Sequence, residues 1–418
     1  LRVHWHRQEQ KRQEPERVLL GPVSRMPALR FDGSNAAAYA RGPVILHAVA
    51  LPNPRPNDAC TRAPRRALPR LASHCSTADG DDNESHRRIG EDCRLRRDSH
   101  RSVTIAVTGA NSSVGLNLLA HIVERGDLDA IGCVRSQRVA ASLPESPRIT
   151  ARIVSYQNAD GLEKALDGVS CVVHLAGILI ESKASTYESA NVASAAAVAE
   201  AARAAGVQHI VLVSVIGASS DSPNRYLRSK GDAERVVTES ELSATVLRTP
   251  ILLGVGTAGA AAILRSASRG KTRLLGGGRY TVRPLDLDDL SRAILLACVN
   301  QPTGALVHEL VGPDAVQYRE LIALTAGLLD RELSIGTMPV WIAKAGAAIA
   351  SRVSGGGVSP TVIDVITADE VVETNADAAL GLTLTPLSTT LEKIVSDHGR
   401  ERCQRQLPTS PGRCVSRA

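Results

Sequence analysis

Aromatic side chains are nearly absent. Two Trp, six Tyr and one Phe are spread over 418 residues, so a core has to be assembled from Ala, Val, Leu and Ile. No run is long and apolar enough to span a bilayer. The best, Met338 to Val353, is short and interrupted by Lys344. The N-terminus lacks the charged-then-apolar pattern of a secretory signal. The eight cysteines (Cys60, Cys75, Cys93, Cys133, Cys171, Cys298, Cys403 and Cys414) show no C-x-x-C or zinc-like spacing, which leaves no metal site to argue for. Cys133 and Cys171 fall in apolar, strand-like runs and read as core thiols, which suits a reducing, cytoplasmic setting. Charge of one sign is also missing from the middle of the chain. The formal net charge is +6, but residues 1–100 hold eighteen Lys+Arg against twelve Asp+Glu, and residues 101–418 hold thirty-one of each sign. The basic excess belongs to the first hundred residues and the last twenty. This argues against nucleic acid as a partner of the folded part.

What is present changes character near residue 100. Residues 1–100 mix Arg, Pro, Ser, Asp and His with no sustained period of two or 3.6, as in Arg62-Ala63-Pro64-Arg65-Arg66. Such a segment buries too little apolar surface to offset chain entropy and reads as a disordered basic leader. The chain begins on Leu1, which reads as a fragment or an over-extended start. The tail, residues 398–418, rich in Arg and Pro, reads as disordered too. Between them the pattern is regular. After a first strand at Val103, strand-like runs recur at Ala130–Val134, Ile149–Val154, Cys171–Leu175, His209–Ser214 and Ala244–Arg248. Helix-like runs separate them: Leu116–Arg125, Asp160–Leu166, Tyr187–Ala205 and Tyr226–Glu239, with Gly126, Gly168 and Gly206 placed as stops. Alternation of apolar strands with helices predicts an α/β fold, a doubly wound parallel sheet with helices on both faces. The pattern loosens after Pro250. A helix at Asp288–Val299, a strand at Leu306–Leu310 and helices at Tyr318–Leu328 and Trp341–Ile349 suggest a smaller, irregular C-terminal region, residues 251–397, set at the carboxyl edge of the strands. The nucleotide-binding part is then residues 101–250.

The stretch Val103 to Leu116 organises this reading. Its β-branched start suits a buried strand, Gly109 allows a sharp turn, and Gly115 lets the following helix pack closely on the strand. Strand, glycine turn and helix in that order form a phosphate cradle, because the helix N-terminus offers unpaired N–H groups and a positive dipole end. Gly109, Asn111, Ser112, Ser113, Val114 and Gly115 are the candidate pyrophosphate residues, although Ser112 occupies the place of a middle glycine. No acid follows about 20 residues later to hold a ribose 2′-hydroxyl. The second strand ends Cys133-Val134-Arg135-Ser136, and a guanidinium there can pair with a 2′-phosphate. NADP is therefore the expected cofactor, with NAD the alternative. Tyr226 and Lys230, at i and i+4, share a helix face. An ammonium near a phenol favours the phenolate, and Lys230 could also hold a ribose hydroxyl.

Together the turn Gly109 to Gly115, the strand end Val173-His174-Leu175-Ala176-Gly177, Asn191, Ser214, the Tyr226/Lys230 pair and Leu247-Arg248-Thr249-Pro250 resemble the short-chain dehydrogenase/reductase superfamily in its extended or atypical branch. Arg283 to Leu290 looks like that family's returning segment near the substrate pocket. The nearest flavour resembles the NAD(P)H-binding accessory subunit of respiratory complex I and its bacterial relatives, on Gly177 to Ser182 and the Tyr-x-Arg-Ser-Lys form. The resemblance spans about residues 102–395 and implies a Rossmann-type domain. It further implies Ala176 and Gly177 bordering the riboses, Tyr226 as proton donor or acceptor, Lys230 as its partner, Asn191 in a relay or as helix support, and association with a respiratory complex. Two further departures stand beside Ser112. Ser155-Tyr156 replaces the acid expected after the third strand, and Ile216 occupies the place of the catalytic hydroxyl, so that Ser214 is either catalytic or structural. Two functions follow. One is an NAD(P)-dependent oxidoreductase or nucleotide-sugar epimerase-like enzyme. The other is a non-catalytic NADP(H)-holding protein with a structural, assembly or redox-sensing role. The loops 178–188, 215–225 and 251–285 carry few charges, which speaks against a highly anionic substrate but does not identify one.

Overall fold

The computed structural model describes residues 103–354 and 356–406. Strand β1 (Val103–Thr108) leads through the glycine turn into helix α1 (Ser113–Arg125), and β2 (Leu128–Val134) and β3 (Ile149–Ile153) follow. Helix α2 (Ala159–Ala165), β4 (Cys171–His174), α3 (Ala193–Ala204), β5 (His209–Val215), α4 (Arg225–Thr238) and β6 (Ser243–Thr249) complete the alternation. Farther along come α5 (Ala258–Ala267), α6 (Leu287–Asn300), β7 (Ala305–Glu309) and α7 (Tyr318–Leu328). The last helices are α8 (Val340–Ser354), α9 (Pro360–Ile366) and α10 (Leu387–Gln406). Seven strands form one sheet in the order β7-β6-β5-β4-β1-β2-β3, every pair parallel. The direction of winding reverses between β1 and β4, where ligands of doubly wound sheets bind.

Two apolar layers cover the faces of the sheet. Strand residues alternate between them as a period of two requires. Ile105 and Val107 pack with Leu118, Leu119 and Ile122 of α1 and Leu290 and Ile294 of α6. Ala106, Val172, Ile210 and Leu212 pack on the other side with Leu162 of α2, Val198 and Ala202 of α3 and Val237 of α4. The small side chains of α3 let it lie close to the strands, which is how a core with few aromatics reaches full density. Gly126, Gly168 and Gly206 all have φ between 72° and 75°, the left-handed geometry expected of helix stops.

Three expectations need correction. The helix and strand assigned to a separate region after residue 250 return to the main sheet. Ala305 pairs with Ala244, and α6 packs against α1 and against β5 and β4. The partner strand lies some sixty residues upstream, a relation that local patterning does not carry. The expected helix Tyr187–Ala205 begins with a π-helical turn, Glu188–Val192, before α3. The tail expected to be disordered from residue 398 continues as α10 to Gln406. The leader, residues 1–100, lies outside the described residues. A third apolar cluster, built on Ile263, Leu274, Leu321, Ile322, Leu391 and Ile394, holds α5, α7 and α10 together. Beside it a parallel strand pair, Lys271–Leu275 with Ser334–Met338, leads into α8. Among the described residues no helix is long and apolar enough to cross a membrane.

Candidate functional site

At the end of β1, Gly109 has φ +68°, and a Cβ there would lie 3.1 Å from Ala176 N. The glycine turn thus touches the backbone at the end of β4, across the switch point. Gly115 is equally constrained: a Cβ would stand 2.6 Å from the carbonyl oxygen of Ala110. Ser112 explains its own presence. It is the N-cap of α1, φ −71°, and its Oγ accepts the Gly115 N–H at 3.0 Å, so the side chain turns back into the helix end. Leu116 N–H donates to Ser112 O, which leaves the Ser113 and Val114 N–H groups as the free donors of this helix end among the described residues. The residues present therefore fit a dinucleotide pyrophosphate: two free donors, a dipole end and two glycines whose places no larger residue could take. Arg135, the residue after β2, is exposed, with no partner among the described residues.

The end of β4 is anchored by buried polar groups. His174 Nδ1 and Thr108 Oγ1 are 2.8 Å apart, and Ser194 Oγ lies 3.4 Å from Nε2. Burial, reinforced by the charge of Lys230, pushes the imidazole down to about 3, so it is neutral. Tyr156, in the place of the expected acid, sits edge-on to His174 with ring centroids 6.2 Å apart and hydrogen-bonds Thr108. Asn191, 2 % exposed, is a clamp. Its Oδ1 accepts Ile178 N–H at 2.8 Å, and its Nδ2 donates to Ile178 O at 3.2 Å and to Ser229 Oγ at 2.9 Å. The π-helical turn carries this side chain, and an extra residue in one helical turn is a common device for re-aiming a functional group.

Asn224 caps α4 by accepting the Tyr226 and Leu227 N–H groups, which starts the helix that carries the Tyr226/Lys230 pair. Lys230 is buried and donates to Val213 O at 2.9 Å. Burial lowers it to about 8, against an opposing pull from Glu234. The next residue, Ser214, is 4 % exposed, and its Oγ has no hydrogen-bond partner. Tyr226 packs against Tyr187, with centroids 5.7 Å apart, and burial, then Tyr187, holds its phenol well above the ordinary range. The pair therefore shares a helix face, as spacing indicated, but Lys230 spends one donor on the strand, and the phenol is shifted up rather than down. Tyr187 was not singled out by sequence. Its OH donates to Leu179 O at 2.8 Å, and Arg225, paired with Glu181, lies over its ring. Ile216 ends the strand with its N–H on Thr249 O.

A parallel sheet wound in this order, with a glycine turn and a helix N-terminus at its switch point, defines a Rossmann-type nucleotide-binding domain. Residues 109–273 match a family described as NAD(P)H-binding, a match that starts at the turn glycine. A nicotinamide dinucleotide is the cofactor this match names, and the Rossmann-type sheet that the sequence resemblance implied is present. The chain is 26 % identical over 309 residues to NADH dehydrogenase [ubiquinone] 1 alpha subcomplex subunit 9, mitochondrial, of Arabidopsis thaliana, covering 69 % of this chain and 76 % of that protein. It is 25 % identical over 240 residues to a ceramide reductase of Caulobacter vibrioides, covering 56 % and 73 %. Among solved structures, MoeE5 in complex with UDP-glucose and NAD superposes with a TM-score of 0.57 at 21 % identity, covering 72 % of this chain and 99 % of that one.

Proposed function

We propose that this protein is an NADP(H)-dependent oxidoreductase that reduces a carbonyl, with Tyr226 as the proton donor. Lys230 is the observation that carries this reading. It is a lysine 8 % exposed, one turn from Tyr226, that donates to one strand carbonyl, that of the residue before the Ser214 hydroxyl, which has no partner among the described residues. Burying an ammonium so sparingly partnered is costly, and such groups gather at functional sites. The bound nicotinamide supplies the hydride. Tyr226, kept protonated by burial, passes its O–H proton to the carbonyl oxygen as the carbon is reduced, giving the alcohol. The two remaining Lys230 donors are available to a ribose hydroxyl and to the phenolate left behind, which recovers a proton from the ammonium, itself reprotonated from water. Ser214 takes the carboxamide or substrate oxygen. Arg135 selects the 2′-phosphate. A reductase-named relative supports this reading, and a setting on the cytoplasmic, reducing side fits the free, buried thiols of Cys133, Cys171 and Cys298. The test is NADPH oxidation against a panel of aldehydes, ketones and sugar nucleotides. Tyr226→Phe should lose about 10²–10⁴-fold in rate while binding NADPH as the parent does. Equal turnover by the two proteins refutes the assignment.

Ile216 favours a second reading, since it removes the hydroxyl that would polarise a carbonyl. In that reading the domain holds NADP(H) without turnover and acts in a respiratory assembly, as the name of the Arabidopsis relative suggests. Ile216→Ser raising turnover supports the enzyme. A parent and variant that both bind NADPH and reduce nothing support the holding role.

A further inference from the structure

Helix α8 is built inside out. Its ion pair, Lys344 with Asp364 of α9, ties it to the body of the protein. Its apolar side chains face outward: Trp341 is 72 % exposed, Ile342 47 %, Ile349 65 % and Val353 82 %. At 100° per residue these four fall on one side of the helix, with exposed Ala345 and Gly346 between them. The face runs the length of four helical turns, far beyond the single apolar side chains usual on a soluble surface. One of only two tryptophans in the chain is spent on it.

Charge around this face is mainly basic, the nearby acids Asp364 and Glu181 being paired with Lys344 and Arg225. From Leu333 to Ile363 the chain carries no Asp or Glu, while Arg352 is exposed beside Val353. The strand pair that leads into α8 brings the segment Arg269 to Arg279, which holds Arg269, Lys271, Arg273 and Arg279, all exposed, and no acid. At the other end, exposed Lys183 lies in the loop against which Gly356 and Gly357 pack. An outward apolar stripe headed by Trp and flanked at both ends by Arg and Lys is complementary to a bilayer surface with anionic headgroups. A helix too short and interrupted to span can lie in that plane.

We infer that α8 docks this protein flat on an anionic lipid surface, burying Trp341, Ile342, Ile349 and Val353 among the acyl chains, with Arg273 and Arg352 at the headgroups. The position of the helix gives docking a consequence. The chain leaving α8 donates Gly357 N–H to Glu181 O, and Thr361 O accepts from Asn224, the cap of α4. Ser359 hydrogen-bonds Tyr187, which packs on Tyr226. A docked α8 holds the mouth of the cleft against the membrane surface.

The experiment is flotation of the full chain with vesicles of phosphatidylcholine alone and of phosphatidylcholine with 30–40 % phosphatidylglycerol (roughly the charge density at which each basic residue contributes about 1 kcal/mol). The parent should float with the charged vesicles and much less with the neutral ones. Trp341→Ser/Ile349→Ser/Val353→Ser should reduce partitioning by about tenfold or more, with an unchanged thermal midpoint and unchanged NADPH affinity. A measurement on the unaltered helix guards against a misfolded variant: in Trp5→Phe, where Trp341 is the single tryptophan, brominated lipids should quench fluorescence. Parent protein that stays with the buffer, or floats equally well without the three side chains, overturns the inference. So does a dimer or a stable complex with another protein that the triple variant breaks while vesicles have no effect, since the face would then be a protein interface.

Discussion

Replacing Asn191 by Ala should both destabilise the fold and loosen the cofactor cleft. The side chain makes three hydrogen bonds, to Ile178 N, Ile178 O and Ser229 Oγ, from a position 2 % exposed. Each net bond contributes about 1 kcal/mol, and a buried partner left unpaired costs about 1–3 kcal/mol. Ser229 retains a bond to Tyr226 O at 2.8 Å, so its share is at the low end. Ile178 loses both backbone partners at once. The expected loss is roughly 3–4 kcal/mol, read from urea unfolding of parent and variant with equal slopes. Because Ile178 follows Ala176 and Gly177 at the edge of the cleft, NADPH affinity should fall as well. Asn191→Asp discriminates further. It keeps an acceptor for Ile178 N–H but sets a carboxylate oxygen against Ile178 O, so it should recover little of the loss. A destabilisation below about 1 kcal/mol for Asn191→Ala would falsify the clamp and leave Asn191 as an ordinary helix residue.

Gly115→Ala places a Cβ 2.6 Å from backbone that cannot swing away, so it should push α1 from the turn and abolish NADPH binding by calorimetry while Gly126→Ala, with open space around its Cβ, leaves binding intact. Parent protein should bind NADPH more tightly than NADH, and Arg135→Ala should narrow that gap; equal affinities in the parent refute the 2′-phosphate role. Acidification should destabilise the fold through His174: a histidine lowered from 6.5 to about 3 stabilises the folded state above its unfolded value, and that stability is lost as pH falls from 6.5 toward 3. Between pH 7 and 5 the loss should be roughly 2 kcal/mol, offset in part by His121, raised by Asp288, whose contribution is present at low pH and lost as pH rises. Stability that does not fall over this window, or that falls as steeply in His174→Gln, contradicts the assignment.

The sheet was legible because β1, β3, β4 and β5 each lead into a helix of period 3.6, and because Gly126, Gly168 and Gly206 mark helix stops in left-handed backbone geometry. The seventh strand was legible as a strand but not as part of this sheet. It is an edge, with Leu306 and Val307 38 % and 48 % exposed, and its pairing depends on α6 crossing back. Ser112 looked like a defect in the phosphate cradle because spacing shows which residue stands there, not where its hydroxyl turns. Tyr187 escaped notice for the same reason. Its importance comes from meeting Tyr226, 39 positions on, and from a loop fastened by Arg225 and Glu181.

The Tyr226/Lys230 pair shows most directly what spacing leaves out. A shared helix face argues for an ammonium that lowers a phenol. The protein instead buries the amine and half-buries the phenol, and desolvation acts on them in opposite directions, lifting the phenol and lowering the amine. The two groups are thereby displaced apart, so passing a proton from the Lys230 ammonium to a Tyr226 phenolate becomes favourable while the reverse transfer costs more. Lys230 at about 8 is then close to the point where it can return a proton to Tyr226 after each transfer. The same burial leaves Lys230 with one strand carbonyl as its hydrogen-bond partner and the neighbouring Ser214 hydroxyl with none among the described residues. On the proposed mechanism a dinucleotide would fill those donors and acceptors, so nucleotide binding and the readiness of Tyr226 would rest on the same groups, and Lys230→Ala should weaken NADPH binding and turnover together.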